Sequence, residues 1–306
     1  MNFFKVLRPI NLLIIIFTMI GGAVYLFSTN SYQYVRFNAF DYSLLIFSTL
    51  LIAGAGNIIN DYFDIKADRI NKPKAIIIGK YIKKRWAILS HWIFNGLAVA
   101  ISIYLSVKYQ TLWFVFIHVV SGNLLWFYSI RLKKKLIIGN IVVAMMTGLI
   151  PCLTIIFFKV SNETNNIFSP YHADSWSIFI NYNLLYLLAF CAFILNFSRE
   201  IIKDIEDMKG DKAIHVKSLP MVIGEQKAYW LAALIAQLSG TSCLIAFFYF
   251  KTAFTNELII WVIFFVSGLL NLLLLLFPYI QTLTIKHASL LIKLTLFIGI
   301  CALYFS

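Results

Sequence analysis

Nine long apolar segments constrain the fold of this 306-residue chain more than any other feature. The chain is 61% hydrophobic and 13% charged, whereas soluble domains are about 25% charged. Apolar runs of roughly 18 or more residues are long enough to cross a bilayer as helices. The sequence therefore predicts an all-α polytopic membrane protein whose spans cover residues 10–28, 40–60, 86–107, 111–130, 136–158, 182–202, 228–250, 256–277 and 286–305.

The positions of the basic residues predict the orientation of these helices. If the N-terminus is cytoplasmic, Lys and Arg number 21 on the cytoplasmic side of the membrane and 4 on the other side. Cytoplasmic loops of membrane proteins carry such an excess, so the net charge of +13 does not indicate a nucleic-acid partner. We expect an integral multi-pass protein of the cell inner membrane, if bacterial, with a cytoplasmic N-terminus and one sizeable external loop over 159–181.

Two stretches of the chain carry aspartates in the same spacing. Residues 57–73 read NIINDYFDIKADRINKP, and residues 198–224 read SREIIKDIEDMKGDKAIHVKSLPMVIG. Each contains D-x2-D-x3-D, and the second copy begins 143 residues after the first. Both copies follow even-numbered apolar segments, so both emerge on the cytoplasmic face. The aspartates are Asp61, Asp64, Asp68, Asp204, Asp207 and Asp211.

Helical geometry places each aspartate triplet on one side of its helix. At about 100° per residue, Asn57 and Glu200 fall at equivalent positions in the two arcs. Six carboxylates in one cavity would repel one another, and ionisable groups at membrane depth usually serve a function. Mg²⁺, which binds carboxylates together with phosphate oxygens, would neutralise them. The alternative, that the aspartates only cap helices and balance nearby lysines, is disfavoured because the spacing occurs twice.

The pattern thus favours a site for Mg²⁺ and a diphosphate in a central cavity that opens to the cytoplasmic side. An isoprenyl diphosphate fits such a site, because its chain can lie among apolar helices. We expect a single transmembrane domain over 1–306, with cytoplasmic cap loops at 66–85 and 199–227. Four basic residues of these loops are expected to reach the phosphate oxygens, namely Arg69, Lys72, Lys203 and Lys212.

The motifs NDYFDIKAD and DIEDMKGD resemble those of the UbiA superfamily of intramembrane prenyltransferases, which also have nine helices. Within the superfamily, the two stretches are most similar to those of the digeranylgeranylglyceryl phosphate synthases. The resemblance implies Mg²⁺-dependent ionisation of an allylic diphosphate, with the six aspartates as direct or water-mediated metal ligands. It also places Asn57 and Asn60 near the metal.

The resemblance extends to a motif at the end of the fourth segment, YSIRLKKK. Tyr128 matches the tyrosine of this motif, whose lysine contacts the diphosphate. The position expected for the lysine holds Leu132, with Arg131 and Lys133 on either side. Either basic residue therefore remains a candidate for the phosphate contact.

Two further pairs of residues are candidate substrate contacts. Arg8 and Asn11, in LRPIN, match a common opening of the family and are expected to face the site from the first helix. Asn196 lies one turn before Glu200 on the acidic face of the sixth helix.

After Pro73 the chain departs from the proline-rich run of many relatives and reads KAIIIGK.

We therefore expect transfer of a prenyl group, geranylgeranyl by resemblance, from its diphosphate to a lipophilic acceptor. A prenylglycerol phosphate hydroxyl is the favoured acceptor, because the two predicted loops hold 14 Lys and Arg residues for two phosphate groups. One alternative is an aromatic prenyltransferase of quinone or tetrapyrrole biosynthesis. Another is a divalent-cation transporter, although such a protein would need carboxylates near the bilayer midplane.

Overall fold

The computed structural model describes residues 2–29, 37–163, 175–213, 216–250, 257–276, 278 and 284–305. In these ranges the secondary structure is helical, and no strand is present. The helices are α1 (Asn2–Val6), α2 (Pro9–Thr29), α3 (Ala39–Asn71), α4 (Lys84–Lys108), α5 (Trp113–Ile130), α6 (Ile138–Glu163), α7 (Ser175–Ala213), α8 (Leu219–Ile223), α9 (Glu225–Phe250), α10 (Glu257–Leu276) and α11 (Ile285–Phe305), with a 3₁₀ turn at Leu132–Lys134.

Nine helices in the described ranges are long and apolar enough to cross a membrane, namely α2 to α7 and α9 to α11. The predicted all-α membrane fold is thereby confirmed. Of the external loop predicted over 159–181, residues 164–174 lie outside the described residues, and its two ends are helical.

Helices α3 and α7 extend well beyond the apolar segments that predict them. They contain 33 and 39 residues, and both carry their aspartates within the helix. Helix α3 begins after Asn38, whose side chain accepts hydrogen bonds from the N–H groups of Phe40 and Asp41. It ends before Pro73, which cannot continue a helix. The loops predicted over 66–85 and 199–227 are consequently helical in part, and their role as a cap stays a prediction.

The chain divides into two compact units. The first comprises Met1–Ile16, Phe37–Val142 and Asp207–Ser218. In it, α3 packs against α4 and α5. Gly56 permits a close approach of α5, because a Cβ atom there would lie 2.8 Å from Leu125. A second contact region contains Ile78, from the loop before α4, packed with Val6 of α1 and Ile65 of α3.

The second unit comprises Phe17–Arg36, Val143–Glu206 and Leu219–Ser306. In it, α10 packs against both α9 and α11. Polar side chains join α9 to α10, as expected where helices meet in a lipid environment. Asn271 donates to the Ser239 hydroxyl at 2.9 Å, and the Tyr229 hydroxyl donates to the Leu274 carbonyl at 2.7 Å.

A buried carboxylate joins α3 to α4 at the end of α3 that is remote from its aspartate triplet. Asp41 is fully buried and accepts hydrogen bonds from Tyr109 at 2.7 Å and Tyr104 at 3.2 Å. Lys108 pairs with the same carboxylate at 2.6 Å. This cluster neutralises a charge that would otherwise be costly to bury.

We expect Asp41→Ala to lower the free energy of unfolding by about 1–3 kcal/mol, because the Tyr109 hydroxyl loses its acceptor. Because Lys108 is exposed, water screens its attraction to the carboxylate, and the loss of this ion pair adds little to the change. Denaturant unfolding in detergent measures the change. Tyr104→Phe is the matched comparison and should cost less, since its hydrogen bond is longer. An unfolding midpoint of Asp41→Ala equal to that of the unsubstituted protein would contradict this prediction.

Candidate active site

The aspartates of α3 are paired with cations from other parts of the first unit. Arg8 Nη2 lies 2.6 Å from Asp61 Oδ1. Asp64 Oδ2 accepts hydrogen bonds from Lys133 Nζ and, at 2.8 Å, from Asn60 Nδ2. Asp68, one turn later, interacts electrostatically with Asp64 and Lys133. The carboxylate stripe predicted from the sequence therefore lies against basic groups that compensate its charge.

Arg8 reaches Asp61 from the break between α1 and α2. Its φ of 55° is in the left-handed region, which residues other than glycine rarely adopt. Asn57 donates its amide to the Leu7 carbonyl at 3.0 Å and so ties this break to α3. The N–H of Asn11 donates to the Arg8 carbonyl at 2.9 Å. Asn57, predicted to lie near the metal, thus holds the segment that carries Arg8.

Lys133, and not Arg131, contacts the α3 carboxylates. Helix α5 ends at Ile130, two residues after Tyr128, and a 3₁₀ turn follows. This turn brings Lys133 to Asp64, whereas Arg131 is an exposed helix-capping residue. Burial disfavours the charged form of Lys133, but the carboxylate of Asp64 outweighs it and raises the pKa of this ammonium group above its usual value.

The start of α6 packs closely on this 3₁₀ turn. A Cβ atom at Gly139 would lie 3.0 Å from both the Leu132 carbonyl oxygen and Lys133 Cα. Tyr128 is half-buried and interacts electrostatically with Lys133. These contacts fix the position from which Lys133 reaches the carboxylates.

The C-terminal turns of α7 meet the C-terminal end of α3 in the first unit. Asn71 donates its amide to the Asp207 carbonyl at 3.0 Å, and its Oδ1 accepts from the Gly210 N–H at 2.8 Å. Lys72 Nζ lies 2.9 Å from Asp207 Oδ1. A Cβ atom at Gly210 would lie 2.8 Å from the Ala67 carbonyl oxygen, so this contact requires glycine.

Sequence reasoning missed Asn71, although it stands in the DRINKP run just after the aspartate triplet. Its amide bonds only to main-chain groups of α7, so no charge or spacing pattern marks it. Asn71 could have been predicted from its position, because its amide can both donate and accept a hydrogen bond and it stands where a helix ends before a proline.

Five of the six aspartates belong to the first unit. Asp211 is buried and interacts electrostatically with Lys133 and with Lys72. Lys133 is therefore within electrostatic range of both triplets, through Asp64 on α3 and Asp211 on α7. Asp204 lies on α7 in the second unit, and the prediction that it faces Asp61 across one cavity stays a prediction.

In the second unit, Glu200 is buried and surrounded by cations. Lys203 Nζ lies 2.9 Å from both of its carboxylate oxygens, and Arg199 Nη1 lies 3.0 Å from Oε1. Asn196 donates to the Thr147 hydroxyl at 2.8 Å. Arg199 was not among the predicted site residues, although it directly precedes Glu200 in the sequence.

Two of the predicted phosphate contacts lie away from these ion pairs. Arg69 and Lys212 are exposed near the ends of α3 and α7. Both helices end at this side of the first unit, so the positions fit the sequence expectation. The role of these residues in phosphate binding stays a prediction.

The donor set fits a hard divalent cation that keeps part of its water. Across the described part of the chain, no three His, Cys, Asp or Glu side chains converge on one point. Two buried side-chain oxygens of this site nevertheless lack an aligned hydrogen bond. Asn60 Oδ1 is buried beside Asp64, and Asp207 Oδ1 has only its ion pair with Lys72. Separated carboxylate and amide oxygens suit Mg²⁺, which takes few protein ligands and completes its shell with water and phosphate.

The fold and the paired carboxylates define a polytopic helical membrane protein with an oxygen-rich, cation-lined site at one end of its first unit. Residues 14–300 match the model of the UbiA prenyltransferase family. The chain therefore belongs to this family and is a prenyltransferase.

Individual relatives agree with this assignment. The chain is 32% identical to a digeranylgeranylglyceryl phosphate synthase of Thermococcus sibiricus over 268 residues, which cover 85% of this chain and 84% of the relative. Its fold is similar to that of a UbiA homolog from Aeropyrum pernix K1, with 12% identity, a TM-score of 0.66 and 94% of each chain covered. It is also similar to a UbiA homolog from Archaeoglobus fulgidus bound to GPP and Mg²⁺, with 14% identity, a TM-score of 0.57 and 99% of each chain covered.

Proposed function

We propose that this protein transfers a geranylgeranyl group from its diphosphate to the free hydroxyl of geranylgeranylglyceryl phosphate. In this reaction the allylic C–O bond of the donor breaks and a C–O ether bond forms at the acceptor oxygen. The products are a lipid diether, diphosphate and the proton of the hydroxyl. The observation that carries the proposal is the set of five aspartates in the first unit, three of which are ion-paired with a basic residue, in a chain similar to a synthase of this name.

Mg²⁺ is the metal that these donors would hold. Its proposed ligands, direct or through water, are Asp61, Asp64, Asp68, Asp204, Asp207 and Asp211, with the buried amide oxygen of Asn60 beside them. When bound, the ion neutralises the charge that grows on the leaving diphosphate. The Archaeoglobus fulgidus homolog was solved with GPP and Mg²⁺ bound, which supports this assignment.

The basic residues supply the remaining charge at the diphosphate. Lys133 carries three N–H donors beside Asp64, and Lys72 forms an ion pair with Asp207 at 2.9 Å. Both can donate to phosphate oxygens while they stay within range of the carboxylates. Such groups bind the departing diphosphate more strongly than the intact substrate, and this difference is the source of catalysis.

The remaining predicted contacts have supporting roles in the proposal. Arg8, held against Asp61, closes the site from the break between α1 and α2. Arg69 and Lys212 are exposed and suited to the phosphate of the acceptor. The excess of basic residues on this side of the membrane supports a cytoplasmic site, which would lie at the cell inner membrane if the protein is bacterial.

A competition assay tests the acceptor. Purified protein receives geranylgeranyl diphosphate, Mg²⁺ and an equal mixture of geranylgeranylglyceryl phosphate and 4-hydroxybenzoate, and products are identified by mass spectrometry. We expect the ether lipid to dominate, because a donor diphosphate and an acceptor phosphate both find cations here. An assay without Mg²⁺ serves as the control. Prenylation of the aromatic ring with the glycerol phosphate unchanged would instead indicate an aromatic prenyltransferase.

A further inference from the structure

An exposed group of basic and aromatic side chains stands between α3 and the first turn of α4. Tyr81 and Trp86 are 60% and 53% exposed. The cations between and beside them are exposed as well. We call this group the basic–aromatic surface, and it consists of Lys80, Tyr81, Lys83, Lys84, Arg85 and Trp86.

The basic–aromatic surface is held in place by the core of the first unit. Ile78 is 2% exposed and packs with Ile65 of α3. Gly79 has a φ of 88°, which turns the chain, and its N–H donates to the Ile82 carbonyl at 2.7 Å. The loop therefore presents its charged side chains in a fixed position, at the end of α3 that carries the aspartates.

No acidic side chain compensates these cations locally. The sequence has no Asp or Glu between Asp68 and Glu163. Among the described residues, none of the four basic side chains of the surface takes part in an ion pair. Two instead lie near aromatic rings, with Lys80 Nζ 5.2 Å from the Tyr81 ring and Arg85 Cζ 6.0 Å from the Trp86 ring.

Helix stability does not explain the cations. Lys83 caps α4 without a side-chain hydrogen bond, and the first turn contains no acidic residue. Positive charges at the beginning of a helix oppose its dipole, so Lys84 and Arg85 destabilise α4 when considered alone. Their placement therefore points to an anionic partner outside the chain.

We propose that the basic–aromatic surface binds the anionic headgroups of bilayer phospholipids. The apolar span of α4 follows directly after Trp86, so the surface stands where a membrane meets water. Trp and Tyr are enriched at that level, and Lys and Arg are attracted to anionic lipids there. In this surface the basic and aromatic residues are neighbours, and the loop that carries them is anchored by Ile78.

Spin-labelled lipids test the proposal directly. The full chain is reconstituted in phosphatidylcholine vesicles with a trace of spin-labelled phosphatidylglycerol or phosphatidylcholine, and the fraction immobilised by the protein is measured. We expect the wild-type protein to prefer phosphatidylglycerol. The variant K80Q/K83Q/K84Q/R85Q should reduce this preference at least about fivefold, the factor that one cation contributes near an anionic surface.

The matched control is K209Q/K217Q/K227Q/K286Q, which removes four exposed lysines elsewhere and changes the net charge equally. It should retain most of the wild-type preference. An equal loss in both variants, or a wild type without any preference, would overturn the proposal.

Should the fourfold surface variant fail to fold, the single changes Lys80→Gln and Lys83→Gln carry the same test. Both side chains are exposed and form no ion pair with other described residues, so the substitutions leave the packing of the loop intact. Each should lower the phosphatidylglycerol preference measurably, and no change in either would contradict the proposal.

Discussion

Replacement of Asp64 by asparagine is expected to lower kcat for prenyl transfer by about a hundred- to a thousandfold, the usual loss when one preorganised charge-stabilising group is removed. Asp64 is the carboxylate that Lys133 and Asn60 both contact. Asparagine keeps the shape of the side chain and can still accept a hydrogen bond, but it removes the negative charge that would hold Mg²⁺. Initial rates with geranylgeranyl diphosphate and saturating acceptor measure the change.

Glu206→Gln is the matched control, because it removes a carboxylate from the acidic stretch of α7. At about 100° per residue, Glu206 points away from the side of the helix that carries the three aspartates. Its kcat should therefore stay close to that of the wild type. A wild-type kcat for Asp64→Asn, with the variant folded and monodisperse in detergent, would remove Asp64 from the site.

The number of membrane helices was predictable because a helix that crosses a bilayer needs about 20 mostly apolar residues. The nine apolar segments of the sequence meet this requirement. The lengths of α3 and α7 were not predictable in the same way. Both continue beyond the lipid-compatible part, where their aspartates lie on one side and the helix persists to Asn71 in one case and to Ala213 in the other.

The aspartate stripes of the site follow from sequence, whereas their partners do not. A helical period of 3.6 residues places Asp61, Asp64 and Asp68 on one side whatever surrounds them. The cations come from distant parts of the chain: Arg8 is 53 residues from Asp61, and Lys133 is 69 residues from Asp64. Such pairs depend on tertiary packing, which no local pattern encodes.

Two details of the site arise where helices end. Helix α5 ends at Ile130, and the following turn directs Lys133 to Asp64. The Asn57 amide bonds to the Leu7 carbonyl, at the break where α1 has ended and α2 has not begun, and its place near the metal stays a prediction. Carbonyl groups at helix ends lack a partner in the helix and take one from elsewhere.

The ion pairs bear on how the protein behaves without metal. Arg8, Lys133 and Lys72 each compensate one carboxylate, so part of the negative charge of the site is balanced by the chain itself. A fold that depended on Mg²⁺ for this purpose would lose stability when the metal is removed. The basic residues make such dependence unnecessary, and the metal can serve the reaction alone.

Removal of Mg²⁺ with excess chelator is accordingly expected to abolish turnover while the melting temperature in detergent changes little. The leaving diphosphate needs the charge of the ion, whereas the folded state already has cations beside its carboxylates. Activity and thermal unfolding are measured on the same sample, and added Mg²⁺ should restore the rate.

The Lys133→Met variant provides the contrast, because it leaves Asp64 without a cation. The melting temperature of this variant should fall and should rise again with Mg²⁺. Full activity in chelator would exclude the metal from the reaction, and a wild-type melting temperature that collapses in chelator would show that the ion pairs do not sustain the fold.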